Sequence, residues 1–321
     1  MILSLFLLAG MAAGAERELR WANGDIELVG VLLLPSGPGP HPAAVIVHGS
    51  GDADRSHPWA RDVAAVLVEQ GVAVLVPDKR GCGASRGSWR RADFEDLAAD
   101  ALAGARALAE APEIDGRVGL VGLSQGGHVV SVAAAQDPSL AFVVDVSGGA
   151  VSMAETVAWE VERAWRREGA PEEGVALGLE LLRVSDEIAR GRGDWDGYLA
   201  LRRRVEEVYG PRAVATFPGS RSDPYWGWWG GVVDFDPMTW WWTVDVPVLF
   251  LFGSDDDNQP TAASVASIEE AMVAEGLDVT VRLFEGAGHS LRGADGTLRA
   301  DVRRTLSGWL RGVLEGTAPR G

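Results

Sequence analysis

The chain has 321 residues and a net charge of −17, with 47% hydrophobic and 23% charged residues. These proportions are ordinary for a soluble globular protein, and the length holds one large domain plus an insertion. An acidic surface of this size disfavours nucleic acid and anionic membrane surfaces as partners. Its single cysteine, Cys82, excludes an internal disulfide. The scattered histidines, without H-E-x-x-H or paired-cysteine spacing, predict no metal site.

The first fifteen residues are apolar and then small. Residues 13–15 read A-G-A, an A-x-A cleavage site directly before Glu16. This pattern predicts a signal peptide over residues 1–15 and an exported, periplasmic or secreted, protein that starts near Glu16. Because no Lys or Arg precedes the apolar stretch, the alternative is an upstream extension or an extra edge strand of a cytoplasmic protein. The stretch is too short to span a bilayer, so no stable membrane insertion is expected.

After Glu16, short apolar runs bounded by turn residues alternate with helical stretches. Strands at 17–21 and 26–34 flank Asn23-Gly24, a strong hairpin signal. Strands alternating with helices predict an α/β fold with a mostly parallel central sheet covered on both faces. The further strands are predicted near 43–47, 72–76, 118–121, 142–146, 248–252 and 279–284, with helices at 91–109 and 298–314 among those between and after them.

The strand pattern stops between residues 150 and 236. Helices are predicted there at 155–167, 172–190 and 194–209, separated by short segments that contain glycine. The chain therefore divides into three parts after residue 15. A first part of the sheet domain covers 16–150, a helical insertion covers 151–235, and a second part of the sheet domain covers 236–321.

Residues 122–126 read G-x-S-x-G, between a predicted strand and a helical stretch. A serine on such a tight turn is held out at the carboxyl edge of the sheet. Three aspartates, residues 255–257, follow the strand at 248–252, and His289 follows the strand at 279–284. Ser, Asp and His in this order suit nucleophilic catalysis. The imidazole takes the serine proton, and the carboxylate fixes the tautomer of the imidazole.

On these motifs and two others the chain resembles the α/β-hydrolase superfamily, over nearly all of its length outside the insertion. Residues 43–51, AAVIVHGSG, resemble the family's strand and H-G oxyanion loop. Residues 72–85 resemble its strand followed by D-x-R-G-x-G-x-S. The version H-G-S-G-x-x-D-R at 48–55 is similar to bacterial serine esterases of the serine aminopeptidase-like and dienelactone hydrolase-like group.

The resemblance implies an α/β-hydrolase fold in which the insertion at 151–235 forms a helical cap. It also implies that Ser124 is the nucleophile, His289 the base and Asp256 the orienting acid. The N–H groups of Ser50 and Gln125 would form the oxyanion hole, and no cofactor is implied.

Asp256 is preferred because the family pattern resembles G-x-x-D-x-x-x-P, which Gly253, Asp256 and Pro260 fit. Asp255 and Asp257 remain the alternatives for the acid. If neither serves, they are residues of a solvated turn.

Tryptophans cluster in YWGWWGG at 225–231 and WWW at 240–242, between the cap helices and the strand that carries the acid. One interpretation is a packed seam between cap and sheet domain, since tryptophan buries a large area. The other is an aromatic wall over the active site that holds an acyl chain or an aromatic ring. In that case Trp226, Trp228, Trp229 and Trp241 line the substrate pocket.

The expected function is that of a carboxylesterase, acting through an acyl-enzyme intermediate on small-molecule esters with small or medium acyl groups. An aminopeptidase-like serine peptidase is the first alternative, and it would need a cap carboxylate (Glu160, Glu168 or Glu172) to bind a free amine. Thioesterase chemistry uses the same groups. A non-catalytic binding protein is disfavoured because nucleophile, base and oxyanion glycines are all present. The oligomeric state stays open.

Overall fold

The computed structural model describes residues 14–317, without the side chains of 272–275. Residues 1–13 of the predicted signal peptide lie outside the described residues. The backbone is described from Gly14 onward, and the carbonyl of Ala15 accepts a hydrogen bond from the N–H of Leu34 at 2.9 Å.

The strands of residues 14–317 form one eight-stranded sheet in the order β1-β2-β4-β3-β5-β6-β7-β8. The β1–β2 hairpin is antiparallel and β2 is antiparallel to β4, while the other neighbouring pairs are parallel. The predicted α/β fold with a mostly parallel sheet is therefore confirmed. The strands are β1 (Glu16–Asn23), β2 (Ile26–Leu33), β3 (His41–Val47), β4 (Ala73–Pro77), β5 (Ile114–Leu123), β6 (Val143–Val146), β7 (Val248–Gly253) and β8 (Val279–Phe284).

Helices cover both faces of this sheet, so strands such as β4, β6 and β7 are buried almost throughout, whereas the edge strand β1 alternates between exposed and half-buried residues. The helices α1 (Pro58–Glu69) and α10 (Ala300–Leu314) pack on one face, and α2 (Phe94–Ala109), α3 (Gly126–Gln136) and α9 (Thr261–Glu275) pack on the other. Side chains of β3 alternate between the two cores, since Ala44 and Ile46 point one way and Val45 the other.

The second helix begins at Phe94 rather than at the predicted residue 91. Asp93 caps it, because its side chain accepts a hydrogen bond from the N–H of Asp96 at 2.8 Å. The preceding residues, Trp89–Arg91, form a short 3₁₀ turn instead.

Helices also fill the segment between β6 and β7. The three predicted helices are present, and two short ones follow in the tryptophan-rich segments. They are α4 (Met153–Arg167), α5 (Glu172–Ala189), α6 (Trp195–Tyr209), α7 (Tyr225–Val232) and α8 (Met238–Trp241). Tyr198, Leu181 and Trp226 are among the buried residues of a separate hydrophobic core in this segment. From residue 14 to residue 317, no helix is long and apolar enough to cross a membrane.

Candidate active site

Ser124 lies on the turn between β5 and α3, in the left-handed region at φ +52°. A non-glycine residue adopts this conformation only where the surrounding structure holds it there. The two motif glycines make the turn possible. A Cβ on Gly122 would lie 2.4 Å from the carbonyl oxygen of Gly126, and a Cβ on Gly126 would lie 2.2 Å from that of Val47. Any side chain at either position would separate α3 from the sheet.

The side chains of Ser124, His289 and Asp256 form a hydrogen-bonded line. Nε2 of His289 lies 2.9 Å from Oγ of Ser124, and Nδ1 lies 2.8 Å from Oδ2 of Asp256. Because Nδ1 faces a carboxylate, it carries the ring proton, and Nε2 is left as the acceptor for the serine hydroxyl. This arrangement can remove the proton from Ser124.

Asp256 is held rigidly and is only 1% exposed. Its Oδ1 accepts hydrogen bonds from the N–H groups of Asn258 at 2.7 Å and Gln259 at 2.9 Å. These backbone donors satisfy the charge of the buried carboxylate and orient it toward His289.

The other two aspartates point elsewhere. Asp255 is exposed, and its carboxylate accepts a hydrogen bond from the hydroxyl of Ser254 at 2.8 Å. Asp257 is ion-paired with Arg167 of the insertion and lies 4.0 Å from Arg163. Of the three candidates for the acid, the structure brings only Asp256 to His289.

The loop after β3, residues 48–51, passes close to Ser124. A Cβ on Gly49 would lie 3.0 Å from Cβ of Ser124 and 3.6 Å from its Oγ, so a side chain there would require the loop or Ser124 to shift by a few tenths of an ångström. Among residues 14–317, neither Ser50 nor Gln125 donates its backbone N–H to a protein acceptor. Both N–H groups are therefore available to an oxygen at the carbon that Ser124 would attack.

The side chain of His48 in this loop forms a hydrogen bond to the backbone and has no role in proton transfer. It is buried, and its Nε2 lies 2.7 Å from the carbonyl oxygen of Pro77, to which it donates. Burial lowers the pKa of the imidazole to about 4, so the ring is neutral at physiological pH.

An ion pair joins the two loop motifs that the sequence singles out. Arg55, at the end of H-G-S-G-x-x-D-R, donates from Nη2 to Oδ2 of Asp78 at 2.7 Å. Asp78, the first residue of D-x-R-G-x-G-x-S, is 2% exposed and also accepts from the N–H of Ala84. This ion pair therefore holds the loop after β3, which approaches Ser124, against the loop after β4.

Lys79 is a functional candidate that the sequence interpretation missed. It is 7% exposed, and its Nζ donates to the carbonyl oxygens of Gly49 at 2.8 Å and Gly51 at 3.3 Å. Its position directly after Asp78 and its being the only lysine of the chain are the signals that point to it.

Two open cavities meet at Tyr225 and Trp228. The first, about 390 Å³, is bounded by residues of α4, α5 and α7, including Glu160, Glu168 and Trp229. The second, about 410 Å³, reaches the loop at residues 48–51. It is lined by Ser50, Gly51, Trp89, Arg90, Asp223, Pro224, Tyr225 and Trp228.

The four tryptophans predicted to line the substrate pocket lie in different surroundings. Trp228 is half-buried and lines both cavities. Trp229 borders the first cavity but is only 1% exposed, and its Nε1–H donates to Oδ1 of Asp186 at 2.8 Å. Trp226 is instead packed in the core of the insertion, with its ring centroid 5.4 Å from that of Tyr198, and Trp241 packs 4.9 Å from Phe250. Both of these rings are buried, Trp226 in the core of the insertion and Trp241 against Phe250 of β7, where their large apolar area is covered.

Of Glu160, Glu168 and Glu172 in the insertion, only Glu160 has a carboxyl that interacts electrostatically with His289 and Asp256. Burial raises the pKa of its carboxyl, an effect that His289 opposes and Asp256 reinforces. Within residues 14–317 it has no hydrogen-bond or ion-pair partner. Glu168 lines the same cavity, whereas Glu172 is an exposed partner of Arg166.

A second buried carboxyl, Asp145 at the carboxyl-terminal half of β6, lies beneath α3. Its Oδ1 accepts from the N–H of Gly148 at 2.6 Å, while Oδ2 has no partner among the described residues. Burial raises the pKa of Asp145 to about 8. The group is therefore largely protonated at neutral pH and is not a competing orienting acid.

Comparison with known proteins gives a family and a fold. The X-Pro dipeptidyl-peptidase (S15) family matches residues 24–275. No curated protein matches the chain.

Solved structures similar to the chain include an esterase, Pf2001, from Pyrococcus furiosus, at 14% identity and a TM-score of 0.61, covering 97% of this chain and 95% of that one. A dienelactone hydrolase from Anabaena variabilis is similar at 18% identity and a TM-score of 0.54, covering 94% and 98%. Est1E from Butyrivibrio proteoclasticus, solved with ferulic acid bound, is similar at 17% identity and a TM-score of 0.59, covering 92% and 99%. These likenesses confirm the predicted α/β-hydrolase fold.

Proposed function

This chain belongs to the X-Pro dipeptidyl-peptidase (S15) family, and we propose that it cleaves carboxylic esters of small or medium acyl groups. Membership of the family makes it an enzyme that hydrolyses ester or peptide bonds. The observation that carries the serine-hydrolase part of this proposal is the hydrogen-bonded line from Ser124 through His289 to Asp256, beside two unpaired N–H groups.

In this mechanism His289 takes the proton of Ser124 as Oγ attacks the ester carbonyl. The N–H groups of Ser50 and Gln125 stabilise the oxyanion, each by about 3 kcal/mol. The tetrahedral intermediate collapses to an acyl-enzyme, and His289 gives the proton to the leaving alcohol. His289 then activates water, which releases the acid and restores the serine.

The groove next to Ser50 supports an apolar or aromatic acyl group. Its wall includes the side chains of Trp89, Pro224, Tyr225 and Trp228. Aromatic rings bind flat apolar groups through offset or edge contacts, and they also exclude water from the reacting carbonyl.

Turnover of p-nitrophenyl esters from acetate to palmitate tests this function. We expect a short-to-medium optimum and a loss of roughly 10⁴-fold in kcat for Ser124→Ala. Ser131→Ala is the matched control. Ser131 lies in α3, the helix that follows Ser124, and its buried hydroxyl donates only to the carbonyl of His128 at 2.7 Å. We therefore expect Ser131→Ala to keep the wild-type turnover. Wild-type turnover by Ser124→Ala would refute the serine mechanism.

Glu160 favours a second candidate function, cleavage of peptides or amides that carry a free amine. An unpaired, partly buried carboxylate close to His289 is suited to bind the ammonium group of such a substrate. The family name points to the same class of bond.

Aminoacyl- and X-Pro-p-nitroanilides, each with a free or an acetylated amine, distinguish the two functions. In an aminopeptidase-like enzyme, Glu160→Gln would raise KM only for the free-amine substrates. Glu162→Gln on the same helix, where Glu162 pairs with Arg166, would leave KM unchanged. Preference for esters, with no difference between free and acetylated amines, would reject the peptidase function.

Export remains a proposal that rests on residues 1–15 of the sequence. Sequencing the amino terminus of the protein from the periplasm or medium should give a chain starting near Glu16. An intact amino terminus on a cytoplasmic protein would reject it.

A further inference from the structure

The side chain of Lys79 is buried beneath the loop at residues 48–51. Burial of a charged group destabilises the fold unless the group is fully hydrogen-bonded. Its ammonium reaches two carbonyl oxygens of that loop, those of Gly49 and Gly51. It also lies 4.7 Å from the centroid of the Trp89 ring, a favourable distance for a cation. The only lysine of the chain is therefore placed where it contacts the carbonyl groups of the two residues that flank Ser50, Gly49 and Gly51.

The contact with Gly49 bears directly on Ser50. A peptide unit is planar and trans, so the C=O of Gly49 and the N–H of Ser50 belong to one rigid plane and point in opposite directions. An ammonium that holds the oxygen on one side therefore aims the N–H on the other. A charged donor on the carbonyl also polarises the same peptide and strengthens its N–H as a donor.

We propose that Lys79 is a positioning residue, which fixes the Gly49–Ser50 peptide so that the Ser50 N–H meets the oxyanion of the reaction. This inference rests on the proposed hydrolase function and adds to it a residue that does not touch the substrate. It acts on the transition state rather than on substrate affinity, because the oxyanion forms only as the carbonyl is attacked.

Because Lys79 is buried, its positioning role predicts that kcat changes with pH in the range where its ammonium loses a proton. Burial lowers the pKa of its ammonium to about 8. The charged and titratable groups that act on it are Asp52, Cys82 and Arg90, with His48 on the loop itself. As the pH rises through about 8, the hydrogen bond to Gly49 loses its charge, and kcat should fall with it.

The free energy of unfolding should rise over the pH range in which kcat falls. The pKa of Lys79 is about 8 in the folded protein and 10.5 as a model value. Between these values the unfolded chain binds more protons, so this group makes the fold more stable as the pH rises. A fall in kcat caused by Lys79 is therefore not accompanied by unfolding from the same titration.

The experiment compares kcat and KM between pH 6 and 10 for the wild type, Lys79→Met, Lys79→Arg and Arg80→Gln, with thermal melts of each. For Lys79→Met we expect kcat to fall by about 10- to 100-fold with little change in KM, and the alkaline limb near pH 8 to disappear. Lys79→Arg stays charged throughout and should keep more activity than Lys79→Met, also without that limb. Arg80 is a matched buried cation, paired with Asp100 at 2.5 Å, and its variant should keep the wild-type limb.

Two results separate this proposal from the proposed function. If Lys79→Met keeps the wild-type kcat and alkaline limb, Lys79 does not position the oxyanion peptide, although the enzyme remains a serine hydrolase. If the folded wild type neither turns over esters or anilides nor reacts with a fluorophosphonate, the hydrolase proposal fails and this inference fails with it. A loss confined to KM would also overturn the positioning role.

Discussion

The close approach of α3 to β3 can be tested by adding a single carbon atom, with Gly126→Ala. The new Cβ would lie 2.2 Å from the carbonyl oxygen of Val47 and 3.1 Å from that of His48. Both are backbone atoms, so neither can rotate away. Relief requires the start of α3 to move by about 1 Å, because non-bonded heavy atoms need roughly 3.5 Å or somewhat less.

Overpacking of this kind costs about 1–3 kcal/mol, which lowers Tm by about 2–6 °C in a protein of this size. The same movement displaces Ser124 and the Gln125 N–H, and a displacement of about 1 Å reduces kcat by roughly 100-fold. Both effects should appear together, in thermal or urea unfolding and in ester turnover.

Gly308→Ala is the matched control for the same chemical change. Gly308 is exposed on α10, and a Cβ there would meet no atom within 4 Å. Alanine within a helix should leave stability unchanged or raise it by up to about 1 kcal/mol. If Gly126→Ala were as stable and active as the wild type, the argument from backbone contact would be wrong. If both variants lost the same stability, the loss would not come from this contact.

Three further predictions concern single side chains. Asp256→Asn should lower kcat by about 10⁴-fold, whereas Asp257→Asn, at an exposed ion pair, should change it less than about 2-fold; equal losses would reject the assignment of the acid. The pKa of Asp145 is about 8 in the folded protein, so this group stabilises the fold at low pH and that stability is lost as the pH rises toward 8. Asp145→Asn should flatten this dependence in urea titrations at pH 5 to 9, by up to about 1.4 kcal/mol per pH unit, and parallel curves for the two proteins would contradict it. Trp228→Ala should raise KM for aromatic esters roughly 10-fold with little change in Tm, and an unchanged KM would remove Trp228 from the substrate pocket.

Most strands of this fold were predictable because their signals are local. Asn23-Gly24 demands a tight turn, and β1 and β2 pair around it with Asn23 opposite Ile26. The buried strands read as short apolar runs, because both faces of a parallel sheet are covered. The early start predicted for α2 was wrong, since Asp93 takes the capping position and the residues before it turn away.

The candidate site was predictable only in part. Ser124, the aspartates and His289 each follow a predicted strand. Because the carboxyl ends of parallel strands share one sheet edge, these residues could be expected to lie close together. Three adjacent aspartates have nearly the same local sequence, and they differ in the hydrogen bonds that the folded turn offers each of them. Spacing favoured Asp256, while its backbone donors and its contact with His289 are properties of the folded turn.

The tryptophans and Lys79 show why local patterns stop short of a site. Trp226 and Trp228 are two residues apart in one glycine-rich segment, yet one ring enters the core of the insertion and the other faces a cavity. Lys79 contacts a loop that lies about thirty positions earlier in the chain. No periodicity carries such information, because it depends on how distant elements pack.

Turn chemistry, hydrophobic alternation and the supply of reactive side chains depend on neighbouring residues, and they predicted a mostly parallel α/β sheet with a candidate nucleophile and base. The resemblance of the motifs to a known superfamily implied the α/β-hydrolase fold. Tertiary packing decided which aspartate meets His289, which tryptophan rings border a cavity, and that Lys79 contacts the loop at residues 48–51. The difference is physical. Local preferences act over a few residues, whereas a catalytic geometry of about 3 Å exists only after segments far apart in the chain have been packed against one another.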